Sequence, residues 1–234
     1  TGLFDAALVR TEPFSQWVIE DRFAGPRPPW EKGGALIVAD VKPFELAKLR
    51  LLNGAHSTIA YLGYLARFEH VADVMARPEF ARFIARLQEE EIAPVTPAPE
   101  SMPLRPYMAA LRARFANPTL RHRTFQIAMD GSQKLPQRLL NTVRDQLSCD
   151  GPIARLALGV AAWTQYVSGV DEQGRAIDVR DPLADRLRAA SREGGEAPEA
   201  RAAAFLSVGE VFDRDLAASA RFSAALTTAI ASLR

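Results

Sequence analysis

From Leu46 to Leu65 apolar side chains occupy nearly every side of the helix that their spacing predicts, namely Leu46, Leu49, Leu51, Leu52, Ile59, Leu62 and Leu65. A helix that is apolar all round is enclosed by the rest of a protein and not laid on its surface. The rest of the chain also reads mostly as helices, so the expected fold is a mainly α, multi-helical domain with little strand. Three polar heads interrupt the segment: Lys48, Asn53 and His56, with Glu45 one turn before them. At about 100° per residue, Asn53 lies about 140°, His56 about 80° and Glu45 about 60° around from Lys48, so an ideal α-helix projects all four into one cavity. Burying them without partners costs several kcal/mol. Singly, each fits a snorkelling lysine or a satisfied core amide or imidazole. Together on one arc they mark a candidate site.

Proton chemistry gives this set a use. An alcohol that loses a hydride must also lose a proton, and an exposed lysine near pKa 10.4 is a poor base for it. Burial of Lys48 beside a cofactor lowers that value by disfavouring the charged form. The neutral Asn53 amide suits a developing alkoxide, because it stabilises charge without titrating.

The rest of the chain reads as helices near 70–76, 78–92, 104–115, 119–129, 136–149, 152–167, 182–193, 198–206 and 213–232, around a long helix at 44–68 that starts at Pro43. A first helix is predicted over 11–23, with Thr11 and Pro13 at its start and Phe14, Trp17, Val18 and Ile19 on an apolar stripe. Gly25 to Trp30 forces an extended loop that Trp30 anchors, and Ala35 to Val41 is a short extended stretch. The proline-dense run Ala93 to Pro103 is extended, and Val170 to Pro182 carries the signals of a small hairpin. We read residues 1–234 as a single domain with a possible appended helical end over 182–234.

Charge and cysteine content narrow the classes. With 29 basic against 28 acidic residues there is no general electrostatic case for nucleic acid or membrane surfaces, and Arg112, Arg114, Arg121, His122 and Arg123 read as a solvated helix face. The single cysteine, Cys149, fits a reducing compartment and offers no disulfide framework; the three histidines lack zinc-like spacing. There is no run of 18 apolar residues. A cytoplasmic location is the default expectation.

The run Asp40-Val-Lys-Pro-Phe-Glu45-Leu-Ala-Lys48-Leu-Arg-Leu-Leu-Asn53-Gly-Ala-His56 resembles the Lys-x4-Asn-x2-His signature of the polyol-specific long-chain dehydrogenases, the mannitol dehydrogenase family. Thr11-Glu-Pro-Phe-Ser-Gln-Trp17 upstream and Asp130-Gly-Ser-Gln-Lys134-Leu-Pro136-Gln-Arg138 downstream are similar to that family's blocks in the same order, so the likeness covers about residues 10–190. It implies metal-independent hydride transfer, with NAD or NADP, between a secondary alcohol and a ketone of a polyol or sugar acid of the mannitol/fructose or mannonate/fructuronate type. The resemblance makes Lys48 the general acid/base and Asn53 a hydrogen-bond donor to the reacting oxygen. It makes His56 an orienting group for substrate hydroxyls, Glu45 a proton relay and Lys134 a substrate-binding residue. A second asparagine from another domain completes the oxyanion site in the family. Where mannitol-oxidising members carry an arginine, this chain has Gln126, and its nearest arginine is Arg123. That departure leaves room for a sugar acid, whose carboxylate could pair with Lys134 or Arg138.

A dinucleotide site usually needs a Gly-x-Gly-x-x-Gly turn between a strand and a helix. Neither Gly33-Gly34 nor Gly194-Gly195 has that spacing or context. In the family a dinucleotide-binding domain precedes the segment seen here and holds most of the cofactor. We therefore expect the chain to be a C-terminal, substrate-binding half that lacks turnover alone. The alternatives are a non-catalytic sugar-binding module without its nucleotide domain, and a helical interaction protein whose buried polar trio is structural.

Overall fold

The computed structural model describes residues 6–7, 14–171 and 173–233. Two short strands, Trp17–Glu20 (β1) and Ala35–Val38 (β2), come first, with a 3-10 turn at Trp30–Gly33 between them. The helices that follow span 42–65 (α1), Val71–Met75 (α2), 78–92 (α3), Leu104–Phe115 (α4), Thr124–Ala128 (α5) and 131–148 (α6). Ala154–Tyr166 (α7), Ala184–Gly194 (α8), Pro198–Leu206 (α9), Arg214–Ala217 (α10) and Ala220–Ser232 (α11) complete the chain. With 62% helix and 5% strand the domain is mainly α, as expected from the sequence.

The predicted apolar helix is central. Pro43 stands in its first turn, where a missing N–H is harmless, and Ala47, Leu51, Ala55, Ile59, Ala60 and Tyr61 are fully buried. α1 packs along α7 and α5, and α7 in turn carries α11, with α9 beyond it. Trp163 of α7 joins the layers: it is wholly buried, with ring centroids 5.9 Å from Phe205 and 6.1 Å from Phe212. Each such aromatic contributes about 1.5–3 kcal/mol by leaving water. The helical end over 184–232 thus shares the core of the rest. No helix among the described residues is long and apolar enough to cross a membrane.

Three helices widen into π turns: Lys48–Gly54 in α1, Leu87–Ile92 in α3 and Pro136–Leu140 in α6. In α6, Pro136 has no N–H to give the α-helical ladder. In the other two, side-chain amides serve carbonyls of the widened turns. Gln88 Nε2 donates to the Leu51 carbonyl at 3.0 Å, and Gln146 Nε2 to the Glu91 carbonyl at 2.6 Å. The buried Glu91 carboxylate caps α7, accepting from the backbone N–H of Arg155 at 2.9 Å and of Leu156 at 2.8 Å.

Several expectations are corrected. The first helix is absent where the structure can be described: its cap at 11–13 lies outside the described residues, 14–16 is irregular, and Trp17–Glu20 is a strand. Its β-branched and aromatic residues pair in parallel with Ala35–Val38, in register Trp17 to Ala35, and this tertiary pairing overrides the helical stripe. Trp30 anchors the preceding loop on Trp17 and Phe23, at ring separations of 6.1 and 5.6 Å. The helix expected at 119–129 shrinks to Thr124–Ala128, because Arg123 bridges to His70 and the Thr124 N–H donates to Glu69. The one expected at 136–149 begins at Gly131, after Asp130 at φ 53°. Ser219 splits 213–232 by capping α11, its hydroxyl accepting from the Phe222 N–H at 3.2 Å. The hairpin at 170–182 is a single bridge between Val170 and Ala176.

Candidate active site

The π turn changes the geometry that an ideal helix assigns to the polar residues of α1. Lys48 opens the turn and Asn53 follows five residues later. In a turn closed by i to i+5 hydrogen bonds each residue advances about 82°, so residues five apart lie about 50° from each other and not the α-helical separation of about 140°. Lys48 and Glu45 line one surface depression of 250 Å³ with Gln16, Val18, Val41 and Phe44. Both are exposed, so the described residues alone do not bury Lys48 as the sequence reading expects. Among the described residues neither the Lys48 nor the Asn53 side chain has a hydrogen-bonding or ionic partner.

His56 looks into a different wall. Its ring stacks on Phe115 at 5.2 Å between centroids and lies 5.8 Å from that of His122. Burial, and then the positive charges of His122, Arg138 and Arg114, push its pKa down to about 3. The imidazole is therefore neutral at pH 7, and its buried Nε2 has no hydrogen-bond partner. A neutral imidazole nitrogen can donate to or accept from a ligand hydroxyl without titrating.

The third part comes from α6. Gly54 of α1 crosses α6 so closely that a methyl group there would stand 2.5 Å from the Arg138 carbonyl oxygen. The crossing sets Arg138 beside the His56 turn: its Nη1 donates to the buried Ser57 hydroxyl at 3.0 Å, while its own buried Nε has no partner. Lys134, one turn earlier, donates to the Met129 carbonyl at 2.6 Å and lies 3.7 Å from the Asp130 carboxylate. Burial and the Arg138 charge lower the Lys134 pKa, against the opposing pull of Asp130. The turn before α6 is fixed by Asp181, which accepts from the Ser132 N–H at 2.8 Å and hydroxyl at 2.6 Å. Ser132 is thus engaged within the fold.

The structure brings His56, Arg138 and Lys134 into one electrostatic neighbourhood, and Glu45 and Lys48 into one depression. Asn53 falls between them in sequence, and no described cavity holds all of them. Arg123 is placed elsewhere, exposed, 3.6 Å from Glu69, on a 410 Å³ cavity with Tyr64, Phe68 and Asp171. Gln126 is exposed. The basic cluster is less uniform than a solvated face: Arg112 pairs with Glu89 at 3.1 Å, the Arg114 guanidinium lies 4.2 Å over the Phe14 ring, and His122 flanks His56. Ser57, Phe115, His122 and Asp181 were missed as parts of the site, because their roles arise from residues 49 to 81 positions away or from ring contacts that no local spacing encodes.

Among known proteins, residues 40–234 match the family described as the mannitol dehydrogenase C-terminal domain. The D-mannonate oxidoreductase of Escherichia coli strain K12 is 49% identical over 230 residues, covering 97% of this chain and 46% of that protein. A mannitol 2-dehydrogenase of Aspergillus terreus is 40% identical over 232 residues, covering 98% of this chain and 45% of that one. Among solved structures, Pseudomonas fluorescens mannitol 2-dehydrogenase in ternary complex with NAD and D-mannitol superposes with a TM-score of 0.87 at 33% identity, over 95% of this chain and 44% of that one. The chain spans about half the length of these relatives.

Proposed function

Because this chain belongs to the mannitol dehydrogenase family, as its C-terminal domain, we propose that it is the substrate-binding half of an NAD(P)-dependent oxidoreductase. The reaction interconverts a secondary alcohol and a ketone of a polyol or sugar acid. The observation that carries this reading is the pair of buried, unpartnered polar atoms, His56 Nε2 and Arg138 Nε, beside the π turn that holds Lys48 and Asn53. Buried polar atoms in folded proteins are nearly always satisfied, and these two, in one neighbourhood beside the α1 turn, are free to meet a hydroxyl or carboxylate of a ligand.

In this reading Lys48 takes the proton of the reacting hydroxyl, or returns it in the reduction, and Asn53 donates a hydrogen bond to the oxygen on which charge develops. Neutral His56 orients a neighbouring hydroxyl, and Glu45, exposed at the rim, passes the proton to water. The nicotinamide group, when bound, supplies the hydride chemistry. The sequence contains no Gly-x-Gly-x-x-Gly run to hold a pyrophosphate. The dinucleotide is therefore assigned mainly to a preceding domain of the full-length protein, which also completes the burial of Lys48. Between polyol and sugar acid, the adjacent cations Lys134 and Arg138 favour a carboxylate-bearing substrate.

The test is a steady-state assay of the full-length enzyme with mannonate, fructuronate, mannitol and fructose, each with NAD(H) and NADP(H). Lys48→Ala is expected to lower kcat by about 10²- to 10⁴-fold with a milder effect on KM. Near wild-type turnover of that variant across pH would sink the assignment of Lys48. Sugar binding by calorimetry without nicotinamide-dependent turnover would instead identify a non-catalytic module.

A further inference from the structure

We propose that Gln88 is a positioning residue for the Lys48 site: its side-chain amide holds the π turn that brings Lys48 and Asn53 to one face. The proposal rests on the functional reading above for what those two residues do, and on geometry for how they are held. At the end of the π turn the Ala55 N–H donates to the Leu52 carbonyl. The carbonyl of Leu51, its partner in an α-helical register, accepts the Gln88 amide at 3.0 Å. Gln88 is fully buried and reaches Leu51 from a π turn of its own in α3, 37 residues away.

Its orientation is fixed from the other side. Arg112 of α4 donates to Gln88 Oε1 at 3.1 Å and pairs with Glu89 at 3.1 Å, so the NH₂ end of the amide must face Leu51. Without that donor the buried Leu51 carbonyl loses its side-chain partner, and recapture of an α-helical N–H satisfies it again. An α register carries Asn53 about 140° around the helix from Lys48. Gln88 lines neither the Lys48 depression nor the His56 wall, so it acts only through the turn.

Gln146 supplies the control. It is equally buried and makes the equivalent bond, to the Glu91 carbonyl at 2.6 Å in the α3 π turn, away from Lys48. In the full-length enzyme, Gln88→Glu keeps the volume and the Arg112 contact but removes the donor; Gln88→Met removes both contacts. Both are expected to lower kcat by about tenfold or more, as a misplaced reacting group does, with the dissociation constant for the nicotinamide cofactor unchanged. Gln146→Met, at a similar loss of stability, is expected to hold kcat within about twofold. Amide hydrogen exchange at Ala55, His56 and Ser57 is expected to quicken in the Gln88 variants alone. Should Gln88→Met fail to fold, Gln88→Glu carries the comparison. Wild-type kcat in Gln88→Glu, an equal kcat loss in Gln146→Met, or unaltered exchange at 55–57 overturns the proposal. If Lys48→Ala keeps its turnover, the functional reading fails separately, and the exchange measurement still decides whether Gln88 holds the turn.

Discussion

Gly54→Ala sets two calculable effects against each other. In a helix interior alanine is favoured over glycine by about 0.5–1 kcal/mol, so propensity alone makes the variant more stable. Against this, the new methyl would stand 2.5 Å from the Arg138 carbonyl, where ordinary contact begins at 3.4 Å. The obstacle is backbone of a packed helix and has no rotamer to yield, so α1 and α6 must separate by the difference, about 0.9 Å. Overpacking of this kind costs about 1–3 kcal/mol, which leaves a net destabilisation of about 0–2.5 kcal/mol. The functional effect is larger than the stability effect. The same separation moves His56 and Asn53 away from Arg138, and a misplacement of about 1 Å costs on the order of 10²-fold in rate. The assay pairs urea unfolding with kcat/KM on the full-length enzyme. A variant more stable than wild type with unchanged kcat/KM would mean that α1 and α6 separate freely and that their approach positions nothing.

Glu91→Ala leaves two backbone donors of α7 without their acceptor, while the Arg155 guanidinium keeps Glu90 at 2.8 Å, and is expected to cost about 2–4 kcal/mol in urea unfolding; a loss under about 1 kcal/mol would remove the carboxylate from the α7 cap. His56 binds protons less readily folded, at about 3, than unfolded, at about 6.5, so the neutral form supports the fold and stability falls as pH drops through that window. The expected slope is up to about 1.4 kcal/mol per pH unit, flattened in His56→Gln, and equal slopes in the two proteins would contradict the burial of a neutral ring.

The central helix was legible in the sequence because its apolar residues leave no side for water, and most of the later helices were legible from proline and glycine punctuation. The π turn in α1 was not. It depends on a donor from Gln88 and a crossing with α6, and neither leaves a mark in the spacing of Lys48, Asn53 and His56. The strand at Trp17 was misread for a related reason: four residues that suit either structure were decided by a partner 18 positions away. Lys134 and Arg138, four apart on one helix, needed only local spacing to be placed together. Their relation to His56 needed the close approach that Gly54 permits.

The three tryptophans divide the molecule into two optical compartments. Trp163 is sealed in the core, whereas Trp17 is half exposed on the small parallel sheet and touches Trp30. Unfolding of the core exposes Trp163 and shifts its emission to longer wavelength, while anything that covers the sheet dries Trp17 and shifts emission the other way. Intrinsic fluorescence of the unlabelled chain can therefore report loss of the core and coverage of the sheet as changes of opposite colour.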